Sequence, residues 1–137
     1  VAASSEWLVD SIDGLIEEWH MTKAFIGIIL LPIVGNACEH AGAVRMAMAD
    51  KVDITIGIAV GSSTQIALFV VPVSVLIGWA IDQPMDLNFG SLYTTVMVFA
   101  VLIAFSIITD GASNWLEGFM LMVAYAIVAT MFWFSPL

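Results

Sequence analysis

Long stretches of this chain carry almost no charge. Residues 54–81 and 91–109 contain no Asp, Glu, Lys or Arg, and 114–137 contain only Glu117. Each run is close to the roughly 20 apolar residues that a membrane-spanning helix needs. A further apolar run over 22–49 is interrupted by Pro32 and Gly35 just before Asn36. Proline removes a backbone donor and glycine loosens the backbone, so this combination kinks or breaks a helix. At membrane depth such a break is tolerated only against protein or a water-filled cavity.

The segment 4–19 reads differently. Glu6, Asp10, Asp13 and Glu17 recur at helical spacing, placing four carboxylates on one face, with Leu8, Ile12, Leu15, Ile16 and Trp19 opposite. Two readings stay open: a surface amphipathic helix, or a helix whose acids Glu6, Asp10 and Asp13 line a hydrated cation path. The pattern therefore predicts helices over about 4–19, 22–49, 54–81, 91–109 and 114–135. This is an all-α, polytopic transmembrane helix bundle, treated as one membrane domain over 1–137. Asn114, with Glu117 three residues on, has the form of a capping box for the last helix.

Composition sharpens the picture. Hydrophobic residues make up 61% of the chain and charged residues 11%, far from the balance of soluble domains. Twelve acidic residues stand against three basic ones, a net charge of -9, which argues against nucleic acid and favours a cation as partner. The N-terminus lacks the basic start and polar sequel of a signal peptide. The single Cys38 cannot form an internal disulfide.

Glu39 is the most informative residue. It lies within Gly35-Asn36-Ala37-Cys38-Glu39-His40, in an otherwise apolar segment, and an ionisable group at bilayer depth is a functional-site hypothesis by default. A related pattern recurs in the next helix: Gly35-Asn36-x-x-Glu39 is matched by Gly61-Ser62-x-x-Gln65. Residues three apart share a helix face. Packed together, the two helices would gather Asn36, Glu39, Ser62, Gln65 and loosened glycine carbonyls into an oxygen-rich pocket.

Oxygen donors of these types suit a hard cation such as calcium. Zinc would need Cys38 and His40 together, which their spacing of two on a helix does not allow. One carboxylate cannot neutralise a divalent ion in a low-dielectric interior, so the chain reads as half a site. A second carboxylate is expected from a symmetry-related half, as in transporters built from inverted repeats. Burial without a cation favours the protonated carboxyl, whereas an arriving cation favours the ionised one. Proton and metal would then compete for Glu39, with His40 placed to sense or relay protons or simply to hydrogen-bond.

At these residues the chain resembles the C-terminal half of a calcium/proton exchanger of the CAX family, within the calcium/cation antiporter superfamily. The resemblance is carried by Phe25-Ile26-Gly27, by Leu31-Pro32-Ile33-Val34 leading into Gly35 to His40, by Lys51-Val52-Asp53, by the run from Gly57 through Gly61-Ser62-Ser63-Thr64-Gln65 to Pro72, and by Met85-Asp86-Leu87-Asn88-Phe89. It implies one five-helix half of an inverted-repeat antiporter with broken helices at the midplane, its first helix cut short.

The resemblance further implies that Glu39 binds metal and exchanges protons, with Gly35, Asn36, Ser62, Ser63 and Gln65 as further metal-site positions. Transported Ca2+ and counter-transported H+ are the implied ions. The implied partners are membrane lipid and the N-terminal half carrying the second Gly-Asn-x-x-Glu carboxylate, with a homo-oligomer as a further assembly. Two residues depart from the family pattern. Cys38 replaces the usual alanine, and Asp50 stands where asparagine is frequent, a change expected to matter little at a helix end.

The implied function is exchange of cytosolic Ca2+ for protons by alternating access, in a vacuolar membrane or a bacterial inner membrane. Two alternatives remain: a sodium-coupled or other-cation exchanger of the same fold, and a non-transporting membrane subunit. An enzyme is not expected, because no nucleophile, base and orienting group occur together.

Overall fold

The computed structural model describes residues 7, 11, 12, 14, 16 and 18–134. Among these, all regular structure is helical. The described positions between Trp7 and Trp19 are helical; Glu6, Asp10 and Asp13, the expected cation-path acids, lie outside the described residues. Five further helices follow: α1 (Lys23–Gly35), α2 (Ala37–Met48), α3 (Val52–Ala80), α4 (Gly90–Ile108) and α5 (Trp115–Phe134).

The chain divides into two compact units, Val1–Ala37 with Asn114–Leu137, and Cys38–Ser113. In the first, Met21, Ala24, Ile26, Ile29 and Phe132 are buried. Phe25 and Trp133 meet edge to face with ring centroids 4.9 Å apart, a favoured aromatic geometry. Helix α1 starts at Thr22, whose side chain accepts the Phe25 N–H at 3.1 Å and so satisfies one of the unpaired donors at a helix start. Helix α5 starts with a complete capping box. Asn114 Oδ1 accepts the Leu116 and Glu117 N–H groups at 3.0 and 3.1 Å, and Glu117 Oε2 accepts the Asn114 N–H at 3.2 Å.

In the second unit α3 begins at Val52, two residues before the uncharged run. The Lys51 carbonyl already takes the Ile54 and Thr55 N–H groups, and Asp53 is acceptable in a first turn because the helix dipole favours acids there. At 29 residues and about 1.5 Å per residue, α3 is longer than the roughly 30 Å of a hydrocarbon core. Helices α4 and α5, with 19 and 20 residues, match that core.

Both α2 and α3 end in the same device. Lys51 N–H returns to the Met46 carbonyl and Asp50 N–H to that of Ala47, while Gln83 N–H returns to Gly78. These are the reverse bonds of Schellman endings, which put the residue after the helix in the left-handed region. That residue is Asp50 (φ 59°) in one case and Asp82 (φ 54°) in the other. Asp50 is thus a demanding position rather than an incidental one, and the frequent asparagine of the family pattern meets the same backbone need.

Most apolar side chains of α3, α4 and α5 are not covered by the chain's own atoms; Phe105, for example, is 66% exposed. Helices this long and apolar, uncovered along their length, belong in a bilayer. The chain is an integral membrane protein.

Candidate functional site

The expected break is found at Asn36. Gly35 is the last residue of α1, and Asn36 leaves helical geometry at φ -101°, ψ 14°, its N–H still bonded to the Pro32 carbonyl at 2.9 Å. The break separates the runs Lys23–Gly35 and Ala37–Met48. Gly35 and Asn36 belong to the first unit, and Cys38, Glu39 and His40 open the second.

Glu39 lies in the first turn of α2 and, like Cys38 and His40, is exposed within this chain. Val34, before the break, is likewise exposed, at 59%. Exposure here therefore reflects surface that the chain itself leaves open. Two cavities among the described residues lie away from these positions. One, of about 650 Å³, is lined by residues of α5 from Val123 to Phe134. Another, of about 690 Å³, lies between Val75, Trp79 and residues Pro84 to Leu87.

The remaining candidates sit mid-way along α3. Ser62 Oγ donates to the Ile58 carbonyl at 2.8 Å, and Ser63 Oγ donates to Ala59 at 2.8 Å. A hydroxyl whose proton is engaged presents its oxygen lone pairs outward. In that state it serves as an acceptor, the role a cation requires. Gln65 is exposed at the end of the α-helical part of α3.

The two helices are tied near their shared turn. Thr55 Oγ1 donates to the Ala43 carbonyl at 3.0 Å, close to the three-residue connection between α2 and α3. From this tie Glu39 lies four residues back along α2 and Ser62 seven residues on along α3, about 6 and 10 Å respectively at the helical rise. Both lie away from the turn. Thr55 was not singled out by the sequence, where a threonine in an apolar run gives no sign of a tertiary partner.

Among the described residues, no three His, Cys, Asp or Glu side chains gather in a way that would hold a metal ion. The candidate residues, taken singly, carry one carboxylate, an amide on each of Asn36 and Gln65, and two hydroxyls. These are hard, mostly neutral oxygen donors, suited to an oxygen-seeking cation and short of charge for a divalent one.

The chain is 54% identical over 136 residues to a Ca2+/H+ antiporter of Synechocystis sp., covering 99% of this chain and 37% of that protein. It is 50% identical over 135 residues to vacuolar cation/proton exchanger 4 of Arabidopsis thaliana, covering 98% of this chain and 30% of that one. It is 44% identical over 136 residues to a vacuolar calcium ion transporter of Schizosaccharomyces pombe, covering 99% and 33%. The chain thus spans about a third of the length of the curated relatives it matches. The solved structure of native YfkE superposes with a TM-score of 0.89 at 44% identity, covering 96% of this chain and 41% of that one. The sodium/calcium exchanger protein model matches residues 1–134, and the chain belongs to that family.

Proposed function

We propose that this chain forms one half of a calcium/proton antiporter, moving a calcium ion one way and protons the other by alternating access, with Glu39 as the group that accepts either. The observation that carries this reading is the placement of Glu39 in the first turn beyond a helix break at Asn36, within an apolar membrane chain. The names of the relatives support calcium and protons as the exchanged ions. Transport rather than enzymatic chemistry follows from the same names.

Asn36 and Gly35 contribute oxygen at the break, while Ser62, Ser63 and Gln65 contribute it from α3. A calcium ion needs at least one more negative charge than Glu39 supplies. That charge comes from the other half of the exchanger, through a second carboxylate in a Gly-Asn-x-x-Glu segment. When the ion leaves, a proton replaces it on Glu39, because an uncompensated carboxylate at membrane depth is costly. His40, next in sequence, is the candidate relay for that proton. Glu6, Asp10 and Asp13 are assigned to the hydrated path leading there. The membrane is a vacuolar or a bacterial inner one, as the sources of the relatives indicate.

The test is calcium uptake into proteoliposomes containing the complete exchanger, driven by a pH gradient alone. Glu39→Gln abolishes uptake; undiminished flux in that variant refutes the role given to Glu39. A second reading, sodium coupling, draws on the description of the family itself. Uptake driven by a sodium gradient without a pH gradient would establish it in place of proton coupling.

A further inference from the structure

Two helices of this chain each contain one turn wound wider than an α-helix, and each such turn stands one residue ahead of a proline. In α1 the wide segment is Ile26–Leu30, where the Leu31 N–H reaches back five residues to the Ile26 carbonyl, and Pro32 follows. In α3 it is Ile66–Val70, where the Val71 N–H reaches back to Ile66, and Pro72 follows. The cause is steric. A proline has no N–H to give and its ring crowds the carbonyl four residues earlier, which is Ile28 in one helix and Leu68 in the other, the middle residue of each wide turn. Widening the turn carries that carbonyl out of the way.

A π turn holds one residue more than the α turn it replaces. The helix faces on its two sides are therefore rotated by roughly 100° relative to an uninterrupted helix, the angle of one residue at 3.6 per turn. In α3 this phase is consequential because both ends are held. The upper end is tied by Thr55 to the Ala43 carbonyl. At the lower end Val75 and Gly78 are buried, and the Gln83 N–H bonds the Gly78 carbonyl at 2.8 Å, holding the following loop against the helix. Between these anchors lie Ser62, Ser63 and Gln65, the last of them the residue before the wide turn.

We propose that Pro72 is a positioning residue for the cation site: by imposing the wide turn at Ile66–Val70 it sets the rotational phase at which α3 presents Ser62, Ser63 and Gln65. The proposal rests on the reading of these residues as cation ligands. The same proline-led turn in α1, ahead of Asn36, shows that the wide turn in α3 is not an isolated irregularity.

The experiment uses the complete exchanger in proteoliposomes, with Pro72→Ala compared with Pro72→Ala carrying a deletion of Ala67. Alanine restores the missing N–H and lets the helix close to α, leaving the two anchored ends out of phase. Deleting one residue brings an all-α helix back into phase. Pro72→Ala raises the KM for calcium tenfold or more with a much smaller change in maximal rate, and the added deletion returns KM to within threefold of wild type. Because alanine replaces a helix breaker with a good helix former, the single variant inserts and folds, checked by its amount in the membrane and its melting temperature. A wild-type KM in Pro72→Ala overturns the proposal, as does a double variant no better than the single one. Glu39→Gln in the same preparation separates the two levels. Flux surviving there removes the site reading and this inference together, whereas lost flux there with a wild-type KM in Pro72→Ala removes this inference alone.

Discussion

The Thr22 hydroxyl serves two helices at once: it donates to the Phe132 carbonyl at 2.6 Å and accepts the Phe25 N–H at 3.1 Å. Phe132 falls in the last turn of α5, and Thr22 caps the first turn of α1, where N–H groups lack acceptors in their own helix. One side chain thus joins a helix start to a helix end. The neighbouring Phe25 and Trp133 rings fix the same junction from its apolar side.

Thr22→Val, which keeps the shape and removes the hydroxyl, leaves both backbone groups without this partner and is expected to cost about 1–2 kcal/mol. Thr22→Ser retains both bonds and most of the stability. Thermal unfolding of the three proteins in the same detergent decides the matter; equal melting of Thr22→Val and wild type would deny the junction its role.

Asp50 and Asp82 hold left-handed backbone after α2 and α3, a conformation in which a side chain is strained and glycine is not. Asp50→Gly and Asp82→Gly are each expected to raise stability by about 0.5–1 kcal/mol, and Asp50→Val or Asp82→Val to lower it by more. The reverse order in unfolding experiments would show that the aspartate side chains hold the turns by other means.

What was legible in the sequence follows the range over which sequence speaks. The spanning helices are marked by runs without charge, the break by Pro32 and Gly35 before Asn36, and the start of α5 by Asn114 with Glu117, all signals confined to a few neighbouring residues. The link from Thr22 to Phe132 crosses 110 residues, and nothing local announces it. The tie from Thr55 to Ala43 is equally silent, because a helix apolar all round has no face that names its neighbour. Pro72 was visible as a residue but not as a wide turn: a proline in an apolar helix has several outcomes, and packing chooses among them. The proposed site is a sequence reading, a set of donors in which Glu39, Asn36, Ser62 and Gln65 sit in recognisable spacings. Its phase and its enclosure depend on contacts between helices, which spacing does not encode.

Among the described residues, Gly78 is the one glycine with no room for a side chain. A methyl group built on it comes within 2.7 Å of the Gln83 carbonyl oxygen and 3.3 Å of Met85 Cγ, so Gly78→Ala must push the loop off the end of α3. A loss of about 1–3 kcal/mol is expected, as for overpacking generally. Gly118→Ala is the control, because nothing lies within 4 Å of its added methyl, and there the helix preference of alanine gives a gain of up to about 1 kcal/mol. If the two variants melt alike, the loop is not held as the structure has it.

Ser62 and Ser63 separate binding from stability. Their hydroxyls donate to carbonyls of their own helix, at Ile58 and Ala59. Those carbonyls belong to the helix's own bonding, so losing a hydroxyl proton leaves no backbone group stranded and stability changes little. The oxygen itself is what a cation would lose. Ser62→Ala and Ser63→Ala are therefore expected to leave the melting temperature nearly unchanged while raising the KM for calcium about tenfold each, a loss of about 1.4 kcal/mol of binding. Ser62→Thr, which restores the oxygen, recovers affinity. Calcium uptake and thermal unfolding measured on the same preparations make the distinction, because a role in helix packing alone would move the melting temperature and spare KM.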